Sequence, residues 1–393
     1  MKINIKQYLL ITSVFAIFTE GLFFNFIIDW KLIYLIVISN YFILIKYYKL
    51  KLNKYFIFLL LVLLLHAVII NAILKIPPNY MLSQIIGMAI MGIYYYNFVS
   101  VISLNSIIKT YSKMALAVAV IGYVLYFTKF HPLSYYPDDN RFMSIFKEPA
   151  HYVVVVLPAC YYYLKTRKIF LFLIMLGTII LSNSSLGYIG SALMFIVPNL
   201  TLNRIKYLLF TLPFIYIAFF YVYNEYEFLK VRVDDTIETL KAVKTGKFKE
   251  ETNLSSYALL SNIYIAKENF LDHPFGSGMG SHLFMHTNVY GTTMRPPDYL
   301  KQQNLQNSNA TDANSLFTRM VSELGILGLL IIVFLLYKSS VCFKHKELIF
   351  SQGIFIYFLL KLIRDGHYFA PELYLFVWLA YFEIKYFQIK KAQ

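Results

Sequence analysis

The chain has 393 residues, 59% hydrophobic and only 15% charged, against roughly 25% charged in an ordinary soluble domain. This excludes a water-soluble globule, and segments such as 56–73, apolar on every side, exclude a β-barrel, whose strands alternate over about 10 residues around a polar interior. The 36 Lys and Arg against 21 Asp and Glu give a formal charge of +15, which in this setting reads as topology signals beside helix ends rather than as a nucleic-acid surface.

Lys2 and Lys6 precede a hydrophobic run that carries Glu20 and lacks a small-x-small cleavage site, so the N-terminus is expected to be an uncleaved first helix, not a signal peptide. Runs of about 20 apolar residues can cross a bilayer core of about 30 Å. On that basis the sequence predicts an all-α polytopic membrane protein of about twelve spans, near 8–28, 31–46, 55–75, 80–104, 114–130, 149–164, 169–182, 186–200, 207–223, 315–337, 347–364 and 371–388. Basic clusters such as Lys46 to Lys54, Lys165 to Lys168 and Lys385 to Lys391 fall on alternate connections, which predicts both termini in the cytoplasm. The expected organisation is N-terminal helices at 1–130, an outer loop at 131–148, central helices at 149–223, a large outer loop at 224–314 and C-terminal helices at 315–393. Cys160 and Cys342 lie in or beside apolar segments without metal-ligand spacing, so neither a disulfide framework nor a zinc site is expected.

Loops held on a rigid helical scaffold are where binding and chemistry usually sit. In the first outer loop, RFMSIFKEPAH places Arg141, Lys147, Glu148 and His151 where the chain re-enters the membrane. Pro149 suits the first turn of the next helix, and a carboxylate and an imidazole at i and i+3 share a face there. Interfacial anchoring would account for Arg141 and Lys147, but a Glu at this depth is costly without a partner or a task, which favours a functional role. In the large loop, 233–250 is charged and expected to be solvated. Leu260, Ile263, Tyr264, Lys267 and Leu271 then share one face at helical spacing, with Ser255 or Ser256 as N-cap and Pro274 as stop, predicting an amphipathic helix on the membrane surface, over the bundle or packed within the loop.

Gly276, Gly278 and Gly280 have no preceding strand and no GK[ST] after them, which argues against a nucleotide loop and for a tight turn close to the bundle or to an anion. His282 and His286 sit four apart without an acidic partner in HEXXH form, so exposed loop histidines are expected rather than a metal site. Residues 292–310 are expected to be irregular. At the return, Asp312 or Asn314 caps a helix and Glu323 follows Arg319 at i+4, the spacing of an internal ion pair. Lys361, Arg364, Asp365, His367 and Glu372 form a turn between the last two helices. Glu20, Asn25, His66 and 183–185 are intramembrane polar residues expected mainly to hydrogen-bond between helices; the SNSSLG break is of the kind that borders a substrate cavity. Guanidinium groups from three loops on one side suit phosphate oxygens.

These stretches resemble the Wzy-type O-antigen and capsular polysaccharide polymerases, in the superfamily that also holds the O-antigen ligases. The resembling segments are NRFMSIFKEPAHYVVVVLPA, LSNSSLGYIGSAL, ENFLDHPFGSGMGSH, DANSLFTRMVSELGILGLL and IRDGHYF, in that order from Asn140 to Phe369; the first 130 residues contribute only hydrophobicity. The resemblance implies a metal-independent, inverting glycosyltransferase of GT-C-like architecture, without cofactor, in the bacterial cytoplasmic membrane with its site facing outward. It would transfer a glycan from undecaprenyl diphosphate to a new undecaprenyl-diphosphate-linked repeat unit, with a chain-length regulator as a further partner. Arg141, Arg319 and Arg364 are then expected on the diphosphate, and Glu148, His151 and Asp312 as catalytic residues with Glu148 first for the base. Lys147, Arg232, Lys267, Glu323, His367 and Tyr368 are expected to bind substrate. Arg232 and Lys267 stand in for an arginine that the family often places near the amphipathic helix, where this chain reads SSYALL. The ligase branch leans on a loop histidine, for which His282 or His286 is a loose counterpart.

Three other readings remain open from sequence. A ligase would transfer finished glycan to lipid A core or protein. A lipid-linked oligosaccharide flippase would show a polar cavity opening to both faces, and a non-catalytic scaffold leaves the clustered Arg, Glu and His without a task.

Overall fold

The structure, a computed structural model, describes residues 4–26, 28–130, 140–200 and 227–392, with scattered positions between 213 and 225. The expected span at 207–223 lies largely outside the described residues, as does the 131–139 part of the first outer loop. Helices follow in the order α1 (Ile5–Ala16), α2 (Leu32–Tyr47), α3 (Lys54–Leu74), α4 (Asn79–Val101), α5 (Leu104–Phe127), α6 (Pro149–Lys165), α7 (Ile169–Leu181) and α8 (Ser185–Ile196). After the gap come α9 (Glu227–Thr239), α10 (Leu254–Asp272), α11 (Leu316–Ser340), α12 (Ile349–Ile363) and α13 (Leu373–Ala392).

Four helices, Lys54–Leu74, Asn79–Val101, Leu104–Phe127 and Leu316–Lys344, are long and apolar enough to cross a bilayer, and they make this an integral membrane protein. Five further apolar helices have 10–17 residues, so helix length does not establish the expected count of twelve spans. The first expected span, 8–28, needs correction. Helix α1 stops at Ala16, where the Thr19 hydroxyl donates to the Ala16 carbonyl at 2.7 Å. The chain then forms a two-stranded antiparallel hairpin, β1 (Phe23–Phe26) and β2 (Ile28–Lys31). At 1.5 Å per residue a 12-residue helix covers only about 18 Å, well short of the membrane core. Helix α5 starts about ten residues before the expected 114 because Ser103 caps it, its hydroxyl accepting from the Ser106 amide at 3.3 Å.

Helix α6 is the centre of the bundle. Nearly every side chain from Tyr152 to Tyr161 is buried, and it packs on α12, α7, α8 and α5. Its approach to α12 is close: a Cβ at Gly353 would lie 3.2 Å from the Pro158 backbone, and the Tyr161 hydroxyl donates to Gln352 at 2.7 Å. Fully buried Tyr94, Tyr95, Tyr111 and Tyr357 carry much of the aromatic content into this core, where each hydroxyl needs a partner; Tyr111 finds the Val155 carbonyl at 2.5 Å.

The large loop has its own apolar centre, with Phe248, Tyr257, Leu260, Ile265, Met285 and Leu300 buried together. Helix α10 runs through it and packs against α11. Its N-cap is Asn253, which accepts from the Ser256 amide at 2.9 Å, in place of the expected Ser255 or Ser256. The stretch expected to be wholly solvated contains part of α9, and Ala242 and Phe248 are buried. Segment 292–310 is mostly irregular but tied down: Tyr257 donates to the Gln306 carbonyl at 2.7 Å and Asn262 to the Ser308 carbonyl at 3.1 Å.

Candidate functional site

Helix α11 is broken at Gly325, whose φ of 57° and ψ of −131° interrupt the helical ladder. Carbonyls released by such a break need donors, and the glycine-rich turn supplies them. Ser277 and Gly278 amides donate to the Ser322 and Glu323 carbonyls at 3.2 and 2.8 Å, while the Ile326 amide donates to Pro274 at 2.9 Å. Gly276, Gly278 and Gly280 all have φ between 80° and 94°; a Cβ at Gly276 would lie 2.4 Å from the Glu323 carbonyl oxygen, and one at Gly280 2.2 Å from that of Tyr80. The turn therefore brings backbone against the bundle. Its anion is internal: Glu323 Oε2 accepts from the Gly280 amide at 2.7 Å.

The same carboxylate pairs with Arg319. Arg319 Nε donates to Glu323 Oε1 at 3.0 Å, with the side chains 2% and 0% exposed. Nη1 donates to the Gly366 carbonyl at 3.0 Å, and the guanidinium lies 4.4 Å from the Tyr368 ring centroid. Arg319, expected on diphosphate, and Glu323 and Tyr368, expected on substrate, are thus committed to one another and join the glycine turn to the turn between α12 and α13.

That turn meets the segment before α11. Asp312 accepts from the Gly366 amide at 3.2 Å and from the Asn314 amide at 3.1 Å; the Asp365 amide donates to the Asn314 carbonyl at 3.0 Å. His367 Nε2 lies 3.9 Å from Asp312 Oδ2. Buried Lys361 stands 2.6 Å from Asp365 and 3.8 Å from Glu372, which also accepts from the Tyr357 hydroxyl at 2.8 Å. Burial acts to raise the Asp365 carboxyl, but the Lys361 ammonium outweighs it and holds the group well below the usual carboxylate range. Burial also lowers the His367 imidazole below its ordinary value, against Asp365 and Asp312. A neutral imidazole can accept a proton. Asp312, Asp365 and His367 bring ligand atoms within 4.8 Å of one another, close enough for a cation, although Lys361 already neutralises Asp365.

His151, on the first turn of α6, turns to Glu20, with Nδ1 2.6 Å from Oε1. Glu20, Lys31, His151, Asp365, His367 and Glu372 line one cavity, gathered from the α1–α2 connection, α6 and the α12–α13 turn. Glu148 is the half-buried N-cap of α6, with Pro149 at the first helical position. Arg141 and Lys147 are half-buried on the preceding segment, which enters the bundle on buried Phe142, Met143 and Phe146. That segment, through the Phe142 amide to the Leu181 carbonyl at 3.1 Å, covers the SNSSLG break, which does not line the cavity. Arg364 is half-buried at the C-cap of α12. Arg232 lies in α9 with its side chain outside the described residues. Lys267 pairs with Glu268 at 2.6 Å and does not line the cavity. Glu20 and Lys31 belong to the stretch that contributed only hydrophobicity to the resemblance; the available signal was the charges Glu20, Asp29 and Lys31 within one otherwise largely apolar run.

His282 and His286, expected to be exposed, are buried. His282 lies 2.8 Å from the Ser322 hydroxyl through Nδ1 and 3.0 Å from Asn262 through Nε2. Burial lowers both imidazoles, His282 well below its ordinary range and His286 to about 4. The unfolded chain, with imidazoles near 6.5, therefore binds more protons than the folded loop between about pH 6.5 and 4, and stability falls as pH falls through that window. The melting temperature is expected to drop across it, and His286→Gln to flatten the drop; an identical pH dependence in that variant would remove His286 from the account.

A family model described as O-Antigen ligase, Wzy_C, matches residues 170–333. The match, from α7 through the large loop into α11, supports placement in the O-antigen ligase and polymerase superfamily and does not separate its two branches. No curated protein matches the chain.

Proposed function

We propose that this membrane protein is a polysaccharide polymerase, an inverting glycosyltransferase that joins undecaprenyl-diphosphate-linked repeat units at the outer face of the cytoplasmic membrane. One observation carries the reading: Asp312, Asp365 and His367 converge beside the Glu20–His151 pair at the end of the bundle where α6, α11 and α13 begin, next to the segment bearing Arg141. The match over 170–333 supports the substrate class.

In this reading an acceptor hydroxyl attacks the anomeric carbon of the donor glycan as the bond from that carbon to the diphosphate oxygen breaks. His367 takes the hydroxyl proton, its imidazole oriented by Asp312, while Glu148 stands at the α6 end to orient the incoming sugar. Arg141 and Arg364 meet the charge developing on the diphosphate. Arg319 acts by holding the α12–α13 turn in place. The ligase reading draws on the matched model's description; the polymerase reading draws on the Glu-Pro-Ala-His resemblance and on His282 and His286, the histidines a ligase would call on here, having no exposed surface.

Glycan laddering in cells lacking the gene tests the reading. Single-repeat material that returns to a ladder with wild type, but not with Glu148→Ala or Arg364→Ala, is the expected result. Full-length glycan accumulating unattached in the deletion indicates a ligase, and lipid-linked units trapped in the cytoplasm a transporter.

A further inference from the structure

The glycine-rich turn meets α3 and α11 well inside their lengths. Helix α3 runs for 21 residues, with Lys54 at one end and Lys75 at the other. At 1.5 Å per residue it is about 31 Å long, the thickness of a bilayer core, with an ammonium at each end suited to the headgroups. Its Leu74 end is on the large-loop side, because Ile76, with Leu74 and Tyr80, packs into the loop's apolar centre. His66 lies eight residues from that end, about 12 Å into the span, and its Nε2 donates to the Phe275 carbonyl at 2.8 Å. Helix α11 gives a similar depth from the other flank. The Ile326 amide, ten residues beyond Leu316 and so about 15 Å along the helix, donates to the Pro274 carbonyl at 2.9 Å. Met279, in the turn, is buried with the core of the bundle and not with that of the loop.

Non-helical backbone is tolerated at such a depth only where protein satisfies its polar groups. Here the Gly276 amide donates to the His273 carbonyl at 2.7 Å and the Gly280 amide to Glu323, while the Ser277 and Gly278 amides meet the carbonyls freed at Gly325. The fit is tight on both flanks: a Cβ at Gly278 would lie 2.2 Å from Asn71 Oδ1 on α3, and one at Gly325 2.0 Å from the Pro274 carbonyl oxygen. Phe275 points out of this packing, 66% exposed, and Leu65 and Ile69 on α3 and Ile326 and Leu330 on α11 are exposed as well. Asp272 accepts from the Tyr290 hydroxyl at 2.8 Å and is three residues from Phe275, a reach of about 10 Å that lets its carboxylate stay near the headgroups.

We infer that residues 274–280 form a re-entrant turn, inserted between α3, α4 and α11 into the leaflet on the large-loop side, with Phe275 against the acyl chains of the bilayer. The large loop is thereby pinned at membrane depth and not only laid over the bundle. The inference needs a membrane-spanning chain and is independent of the proposed reaction.

The test is a nitroxide at Phe275→Cys in the full-length protein in phosphatidylcholine nanodiscs, with Cys160→Ala and Cys342→Ala leaving one label. Its collisions are measured with oxygen, which enters hydrocarbon, and with a water-soluble nickel chelate, which does not. The label is expected to match one at Leu65→Cys, at a similar depth on α3. Relative to a label at Lys249→Cys in the large loop, chelate collisions should fall by about tenfold or more, as for a polar solute kept out of hydrocarbon, while oxygen collisions rise. Chelate collisions equal to those at Lys249→Cys overturn the inference. A label shielded from both probes lies against protein instead of lipid and also overturns it. Where the cysteine variants melt early, Phe275→Glu and Phe275→Leu in the otherwise unchanged chain give a second reading. Phe275→Glu should melt well below wild type in nanodiscs and Phe275→Leu close to it, because a carboxylate is costly in hydrocarbon and nearly neutral at a water-exposed position; wild-type melting for Phe275→Glu overturns the inference.

Discussion

Arg319→Ala is expected to destabilise the folded protein by about 3–5 kcal/mol, the usual cost of stranding one member of a buried ion pair. The alanine removes three contacts together: the 3.0 Å bond to Glu323, the 3.0 Å bond to the Gly366 carbonyl and the guanidinium over Tyr368. Glu323 would retain the Gly280 and His282 amides at 2.7 and 3.4 Å, which do not neutralise a fully buried carboxylate. Replacing both partners with Leu or Met is expected to cost less than either single alanine, because the apolar pair leaves no orphaned charge. Thermal unfolding in detergent checks this, and a wild-type melting temperature for Arg319→Ala would exclude the ion pair as the joint between the two turns. The α12–α13 turn should loosen in the variant, so its activity loss accompanies its stability loss.

His367→Ala separates chemistry from folding. Its side chain is 45% exposed and its nearest carboxylate is 3.9 Å away, so little packing is lost and the melting temperature should stay close to wild type. Elongation of extracted lipid-linked repeat units by the purified protein should fall by about 10²–10⁴-fold, the range for removal of a general base. In wild type the base must be unprotonated to accept the hydroxyl proton. The rate should accordingly be lost only as pH falls below the ordinary imidazole value of about 6.5, not above it. An unchanged rate in His367→Ala would transfer the proton-accepting role to Glu148.

Helical periodicity and apolar length were readable along the chain because they are local properties. The runs that became α3, α4, α6 and α7 lie within a few residues of the expected bounds, and so does α11, with its i to i+4 pair Arg319 and Glu323. The glycine turn was legible as a close approach of backbone, since positive φ at Gly276, Gly278 and Gly280 is written in residue type. Its partner was not, because the carbonyls it satisfies are freed only by the break at Gly325, some 45 residues later.

Burial and pairing across the chain depended on assembly. His282 and His286 read as loop residues, and they are buried because α10 and α11 close over them. Arg319 read as a cation for phosphate; its Nε donates to Glu323, its Nη1 to the Gly366 carbonyl, and its face lies over Tyr368. Glu20 and His151 are 131 positions apart and meet only when α1 and α6 share a bundle. A single sequence shows which residues carry charge and how each segment repeats. Which charges neutralise one another follows from distances between segments that share no local pattern.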